Sequence, residues 1–485
     1  MHRALLVSEV LLEIFVYLSQ SPSTKVLVGC TESLTRKSLA ALARTCKTFH
    51  EPAMDLLWAN IHGLRPLLGC VPRLHPMIYD TGIKYSWSQR VGPLAEHEFH
   101  QFLHHSARVR NMSISEPNNN YFHLLTALPI ETCLFPGLLS LSWIVQCTNT
   151  RILHFFLSPT LRRYCVSDLR VHSDMEYIGT SCAALEALTV LKDSDTAQLS
   201  ETVRSCKRLK HLQCPPLDSG VWKHLSTIPT LLTVRIVASH IFRYPLDQNK
   251  LDFAPFVNLT SLSFHGGKVA AIITIIQHSE FPSLKEFAMH VRVLPWEEAE
   301  QLFRALSQCK ACQTIEHISI SSHDRIQEHS SNSMTAIRHF MCFTQLRTLR
   351  LSACCSMYLD NDLLLEAMSS WPHIRTLLFA DRHPCPPTVT FRGLFAALSR
   401  CPHLQDLLMF IDARNIDIDP ETESFQHTSL QSLRVGAFEE PDAEAVARII
   451  FSKLPCINWV GCGGGHPQLW HDVNSRLKSL KKQSP

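Results

Sequence analysis

The residues from 96 to 105 include side chains whose chemistry would suit a metal ion. This short stretch contains four histidines and two glutamates: Glu96, His97, Glu98, His100, His104 and His105. The zincin pattern HExxH needs histidine at its fifth position, where Gln101 stands here. Phe99, Phe102 and Leu103 instead predict a helix with a buried apolar face and solvated histidines. We therefore expect no metal, and a metal-dependent enzyme is the alternative that metal analysis would test.

Two other stretches resemble chemical sites in part. Cys309 and Cys312 form one CxxC pair without a second pair at zinc-site spacing, so we expect both to be small core residues. The run from Gly461 to Gly465 lacks the Lys-Ser/Thr ending of a phosphate-binding loop. No nucleophile elbow or triad order is evident. The sequence thus predicts a protein that is not an enzyme and that needs no cofactor.

The composition of the chain excludes several classes of protein. The 485 residues include 46 Lys+Arg and 43 Asp+Glu, a net charge of +3, with 45% hydrophobic residues. This excludes a disordered chain and a strongly basic nucleic-acid binder. Glu9 and Glu13 interrupt the apolar start, unlike a signal peptide, and no apolar run is long enough to span a bilayer. We expect an intracellular protein, cytoplasmic or nuclear, that contacts neither membrane nor nucleic acid.

The first 61 residues contain three apolar patterns that predict short amphipathic helices. The first is a continuous helical stripe, and the second and third follow a polar loop at 20–37. Three short helices bury little surface by themselves, so we expect an apolar face to remain for a partner. The residues of these patterns that we assign to partner binding are Leu6, Val7, Val10, Leu11, Ile14, Phe15, Leu18, Leu39, Leu42, Cys46, Phe49 and Trp58.

This arrangement resembles an F-box, in the form common in mushroom-forming fungi. The resemblance rests on the first stripe, on Arg44-Thr45-Cys46-Lys47 and on Leu57-Trp58 in that order, and it covers residues 1–72. Val7 departs from the proline that usually follows the first leucine of the motif. The resemblance implies binding to the Skp-type adaptor of cullin–RING ubiquitin ligases, and through it to a cullin. The alternative is that these helices only cap the following domain.

The rest of the chain repeats an apolar pattern at positions i, i+3 and i+5. Fourteen copies follow one another at an average step of about 27 residues, within the range of leucine-rich repeats. They start at Val109, Leu138, Leu161, Leu185, Leu209, Leu231, Leu259, Leu284, Ile315, Leu346, Ile374, Leu404, Leu430 and Ile457. The residue at i−3 is usually bulky or Cys, and seven copies have Pro at i−2. One strand and one helix per repeat predict an irregular horseshoe solenoid, whereas a pair of helices per repeat is the runner-up.

The positions i+1, i+2 and i+4 of each repeat form the predicted concave face of the horseshoe. They contain ten basic and four acidic residues, the basic ones including Arg110. We assign target binding to Arg162, Arg163, Lys210, Arg235, Lys285, Arg347, Arg350, Arg375 and Arg434. Arg347, Arg350 and Arg375 lie in adjacent predicted strands and would anchor an acidic or phosphorylated segment of a target protein. An ordinary solvated surface is the alternative.

These observations together predict an α/β chain with three parts. Residues 1–72 would form the F-box-like domain, 73–105 a linker or helical cap, and 106–485 the leucine-rich-repeat domain. By resemblance, the chain would be the substrate-recognition subunit of an SCF-type ubiquitin ligase. A leucine-rich-repeat scaffold with no part in ubiquitination is the competing hypothesis.

Overall fold

The computed structural model of the chain describes thirteen stretches of the sequence. They are residues 28–79, 91–129, 133–145, 151–167, 176–191, 196–238, 253–323, 336–352, 359–380, 388–419, 425–436, 442–462 and 469–483. The chain divides into two compact units, Met1–Pro215 and Pro216–Pro485. The first predicted helix, residues 7–18, lies outside the described residues.

The first unit begins with helices and continues as a parallel sheet. Its helices are α1 (Val28–Ala43), α2 (Lys47–Ala59), α3 (Arg65–Leu68), α4 (His75–Tyr79), α5 (Glu96–Leu103), α6 (Arg151–His154), α7 (Glu176–Ser181) and α8 (Thr196–Ser205). Its strands are β1 (Asn60–His62), β2 (Asn111–Ser115), β3 (Ser140–Ile144), β4 (Arg163–Val166), β5 (Ala187–Val190) and β6 (His211–Cys214). Ser106–Arg108 and Glu116–Leu125 are 3₁₀ helices. The six strands pair in sequence order, all parallel.

The second unit alternates strands and helices. Its strands are β7 (Thr233–Val237), β8 (Ser261–His265), β9 (Glu286–Val291), β10 (His317–Ser322), β11 (Thr348–Ser352), β12 (Thr376–Phe379), β13 (Asp406–Phe410), β14 (Ser432–Gly436) and β15 (Val460–Cys462). Its helices are α9 (Ser219–Ser226), α10 (Val269–Gln277), α11 (Trp296–Gln308), α12 (Asn361–Ser370), α13 (Phe391–Leu398), α14 (Ala443–Lys453) and α15 (Leu469–Gln483). Lys310–Gln313 and Ala336–Phe340 are 3₁₀ helices. These nine strands also pair in sequence order, all parallel.

The predicted repeat register is confirmed by the strand positions. All fourteen predicted start residues are buried, and strands β2 to β14 each begin two residues after a start. In each unit the residues at i+3 and i+5 face the core, whereas i+1, i+2 and i+4 lie on the opposite side of the sheet. We call this side the open face. The α/β fold class and the leucine-rich-repeat solenoid are therefore confirmed, and the helical-pair solenoid is wrong.

Buried residues at i−3 stack from one repeat to the next. Phe135 in the first unit and Phe256, Phe281 and Trp371 in the second occupy this position, and each is less than 5% exposed. The rings of Phe256 and Phe281 stack with centroids 5.1 Å apart. Each repeat thus buries its aromatic residue only against its neighbours, which is how solenoids without a central core gain stability.

The described residues form fifteen strands, whereas the sequence predicts fourteen. The additional strand, β1, pairs with β2 in the same register as the repeats, because Ile61 aligns with Met112 at i+3. Gly63 then stands at i+5, with a φ of 75° and its N–H donating to the carbonyl of Ser113 at 2.7 Å. A glycine at that position breaks the apolar triple, and therefore the pattern did not reveal this strand.

One predicted boundary differs from the structure. The predicted polar loop at 20–37 is wrong from Val28 onward, where α1 begins. Helix α14 is capped by Asp442, whose carboxylate accepts from the backbone N–H groups of Glu444 and Ala445. Among the described residues, no helix is long and apolar enough to cross a membrane.

Candidate functional site

Helices α1 and α2 form a small helical pair at the start of the described chain. Leu39, Ala43 and Ala53 are buried between them, and Leu42 and Phe49 pack partly buried against this cluster. Leu39 is one of the predicted adaptor-binding residues, and in the structure it contributes to the packing of the pair. Cys46, another of these residues, lies half-buried in the turn between the two helices. The predicted residues from Leu6 to Leu18 lie outside the described residues.

Trp58, at the end of α2, stacks on the imidazole of His105. The ring centroids are 4.4 Å apart and the planes differ by 10°. The indole Nε1 of Trp58 and the Nδ1 of His105 are both buried, and neither has a hydrogen-bond partner among the described residues. Burial, with smaller contributions from His104 and Arg108, lowers the pKa of His105 to about 4. The predicted adaptor residue Trp58 therefore has an intramolecular partner, and His105 is neutral at pH 7.

An ionic contact lies beside this aromatic stack. The guanidinium of Arg108 donates to the carboxylates of Glu51 and Asp55, one turn apart on α2. The hydrogen bond from Arg108 lowers the pKa of Glu51 below its usual range. Since Arg108 belongs to the 3₁₀ helix just before β2, the pair α1–α2 is attached to the first predicted repeat by the stack, this ionic contact and β1.

The remaining residues of the histidine-rich stretch are structural or exposed. Glu98 is buried on α5, where its carboxylate accepts from Arg73 at 2.7 Å and from the N–H of Ala95 at 2.9 Å. His97 and His100 are exposed on the same helix. Among the described residues, no group of three or more His, Cys, Asp or Glu side chains could hold a metal ion.

The two cysteines of the CxxC pair occupy different environments. Cys309 is buried at the end of α11, and burial raises the pKa of its thiol. Cys312, at position i−3 of its repeat, is only half-buried. Of the glycine-rich run, Gly461 and Cys462 belong to β15, while residues 463–465 lie outside the described residues.

Some of the basic residues on the open face are neutralised by acidic neighbours in the same row. In the first unit, Lys210 pairs with Glu186 at 3.2 Å. In the second unit, Glu316 lies between Lys285 and Arg347 and pairs with both, at 3.3 Å and 3.0 Å. These three basic residues are therefore weaker candidates for target binding than the sequence suggested.

Other basic residues of the open face have no ion pair within the described part of the chain. In the first unit these are Arg110, Arg162 and Arg163. Arg110 donates to the carbonyl of Gly137 at 3.0 Å, and Arg163 donates a long hydrogen bond to Asn111 at 3.4 Å. In the second unit they are Arg235, Arg350, Arg375 and Arg434. Arg235, Arg350 and Arg375 are exposed, and Arg434 is half-buried. Of the three predicted anchors, Arg350 and Arg375 thus keep their charge available, whereas Arg347 does not.

One prominent residue of the open face in the second unit was not predicted from the sequence. Trp459, at i+2 of the last repeat, is 63% exposed. It follows the start residue Ile457 by two positions, so its place on the open face could be derived from the register. Charge alone distinguishes the basic residues at these positions, and an uncharged aromatic residue does not stand out by that criterion.

Comparison with known proteins gives a family match for the N-terminal region alone. Residues 8–63 match the family described as F-box-like, which confirms an F-box-like domain at the start of the chain. No curated protein matches the chain in sequence.

Solved structures that resemble the chain include three from different contexts. The TLR13–ssRNA13 complex contains a chain with 12% identity and a TM-score of 0.39, covering 73% of this chain and 46% of that chain. Internalin InlF from Listeria monocytogenes shows 11% identity and a TM-score of 0.33, covering 72% of this chain and 87% of that one. The Rad7 and Elc1 complex in yeast shows 14% identity and a TM-score of 0.33, covering 86% and 94%. This chain spans less than half of the TLR13 chain.

Proposed function

We propose that the chain is the substrate-recognition subunit of a cullin–RING (SCF-type) ubiquitin ligase. The F-box-like match at residues 8–63 carries this proposal. The N-terminal helices would bind a Skp-type adaptor and through it a cullin, and the open face of the repeats would bind a target protein. The chain performs no reaction itself; it raises the local concentration of the target near the ubiquitin-transfer machinery. Such an assembly would act in the cytoplasm or the nucleus.

The charges of the open face support a target of acidic or phosphorylated character. In strands β11 to β15 and the residues just before them, positions i+1, i+2 and i+4 contain four arginines and one acidic residue, Asp406. Arginine binds carboxylates and phosphates through two parallel hydrogen bonds, which makes such a surface selective for anions.

Three observations favour the scaffold alternative, in which the helices only cap the repeats. Leu39 is buried in the helical pair and Trp58 stacks on His105, so two of the predicted adaptor residues have intramolecular roles. The pairing of β1 with β2 also gives these helices a structural task. A leucine-rich-repeat protein without adaptor binding would retain all three features.

Co-expression with a Skp-type adaptor separates the two functions. We expect the adaptor to co-purify with the full chain, and we expect Ile14→Asp to abolish this because the stripe containing Ile14 would dock on the adaptor. The matched control is Val257→Asp, which makes the same apolar-to-acidic change at a residue that is 57% exposed in the second unit. A folded wild-type chain that fails to retain the adaptor would refute the ligase proposal and favour the scaffold.

A further inference from the structure

One row of side chains crosses the open face of the second unit from β11 to β15. The paired residues along this row, all at i+4, are Arg350, Leu378, Leu408, Arg434 and Gly461. Two cationic side chains therefore flank two apolar ones on neighbouring parallel strands. Strands in a sheet lie about 4.8 Å apart, so the backbones of Arg350 and Arg434 are about 14 Å apart.

The row ends under an exposed aromatic ring. A side chain on Gly461 would lie 2.6 Å from Cγ of Arg434 and 3.0 Å from Cζ3 of Trp459, so both side chains extend over this glycine. With 63% of its surface exposed, Trp459 is the most exposed large apolar residue among those described. The backbone of Trp459 belongs to the neighbouring i+2 row, but its ring lies beside Gly461. The ring therefore occupies the last place of the i+4 row, where glycine has no side chain. We call these five side chains, Arg350, Leu378, Leu408, Arg434 and Trp459, the arginine–tryptophan row.

The charges of this row are available to a ligand. Within the described part of the chain, the guanidinium groups of Arg350 and Arg434 make no ion pair and no hydrogen bond, in contrast to that of Arg347, which pairs with Glu316. Asp406, the acidic residue of these strands, lies in the i+2 row and accepts a long hydrogen bond from Thr376 at 3.4 Å. Tryptophan and arginine dominate the binding energy of protein interfaces, and an anionic segment complements two unpaired guanidinium groups.

The spacing of the row defines the segment that fits it. An extended peptide advances about 3.3 Å per residue and directs alternate side chains to one side, so about 14 Å corresponds to four residues. We propose that the arginine–tryptophan row binds an extended segment of a target protein with the pattern acidic–x–apolar–x–acidic–x–apolar. The two acidic side chains meet Arg350 and Arg434. The first apolar side chain lies over Leu378, which is half-buried and borders the buried Leu408, and the last one packs on Trp459.

This inference rests on the proposed function for its biological meaning, and its test does not involve the adaptor. The probe is a fluorescein-labelled peptide of sequence Ser-Glu-Ser-Leu-Ser-Glu-Ser-Phe-Ser, titrated with the full chain and followed by fluorescence anisotropy. A peptide of the same composition with its two glutamates adjacent tests the spacing, and a version with glutamine for both glutamates tests the charge. We expect each altered peptide to bind about tenfold more weakly than the probe.

Variants of the chain test the surface itself. We expect Arg350→Glu and Arg434→Glu each to weaken binding of the probe about tenfold, and Trp459→Ala to do so by at least as much. Arg400→Glu, the same charge reversal at an exposed residue of the second unit that lies outside the open face, is the matched control and should leave binding unchanged. Circular dichroism of each variant verifies that it is folded.

Three outcomes overturn the inference. They are the absence of saturable binding up to about 1 mM, equal binding of the peptide with adjacent glutamates, and an equal effect of Arg400→Glu and Arg350→Glu. A chain that binds the probe in this manner and fails to retain the adaptor would instead refute the ligase proposal and leave the arginine–tryptophan row standing.

Discussion

The contact between Trp58 and His105 makes the attachment of α2 sensitive to acid. The pKa of His105 is lowered to about 4 in the folded chain, against about 6.5 for an unfolded one. The unfolded state therefore binds a proton first as the pH falls, and folding stability is lost between about pH 6.5 and pH 4. Protonation would also place an N–H at Nδ1, which is buried without an acceptor among the described residues. At pH 5.5 this linkage destabilises the contact by about 1 kcal/mol relative to pH 7.4.

Hydrogen–deuterium exchange of residues 47–59 measures this effect locally. After correction for the intrinsic pH dependence of exchange, we expect the opening equilibrium of α2 to rise about fivefold from pH 7.4 to pH 5.5, equivalent to about 1 kcal/mol. His105→Phe retains a ring against Trp58 and removes the titrating group, so its opening should not change over this range. His97→Phe, at an exposed position on α5, is the matched control and should behave like the wild type. If the opening of α2 in His105→Phe rose with falling pH as much as in the wild type, the role assigned to His105 would be refuted.

Three further predictions concern the second unit. His427→Phe removes the buried acceptor of the Leu430 N–H, at 3.2 Å, and should lower the free energy of unfolding by about 1–3 kcal/mol in urea denaturation. Trp371→Phe loses the indole hydrogen bond of 2.9 Å to the preceding repeat and leaves a small cavity, so we expect a loss of about 2 kcal/mol in the same assay. Burial raises the pKa of Cys401 to about 12. We therefore expect iodoacetamide at pH 8 to modify the exposed Cys456 at least about a hundredfold faster than Cys401, as followed by mass spectrometry. Equal rates for the two thiols would contradict this prediction.

The repeat register could be predicted from the sequence because two independent signals agree. The apolar triple indicates which residues face the core, and the bulky residue at i−3 indicates where the chain turns into each strand. The same reasoning missed β1 because Gly63 occupies the position where the triple requires an apolar residue. A single small residue was enough to hide a repeat whose other positions, Trp58 and Ile61, fit the pattern.

The ion pairs of the open face could be predicted only from the way in which neighbouring strands pair. Glu316 lies 31 residues from both Lys285 and Arg347 in the sequence, and only the parallel register brings its carboxylate within 3.3 Å of each. A sum over positions treats these charges as independent and therefore overestimates how many are available. Aligning each row across the strands, which the predicted register already allowed, would have distinguished Arg350 from Arg347. The exposure of Trp459 required the structure itself.

The pairing of β1 with β2 also bears on how the chain can be divided. A strand at the end of a sheet exposes unpaired N–H and C=O groups that can pair with another chain and cause aggregation. In the first unit, β1 covers one edge of β2 through the pairs Asn60–Asn111, Ile61–Met112 and His62–Ser113. A repeat fragment that begins after residue 72 would expose that edge and lose the buried Ile61. Fragments designed for expression should therefore retain the chain from α1 onward, because the F-box-like region contains β1, the strand that covers this edge of the repeats.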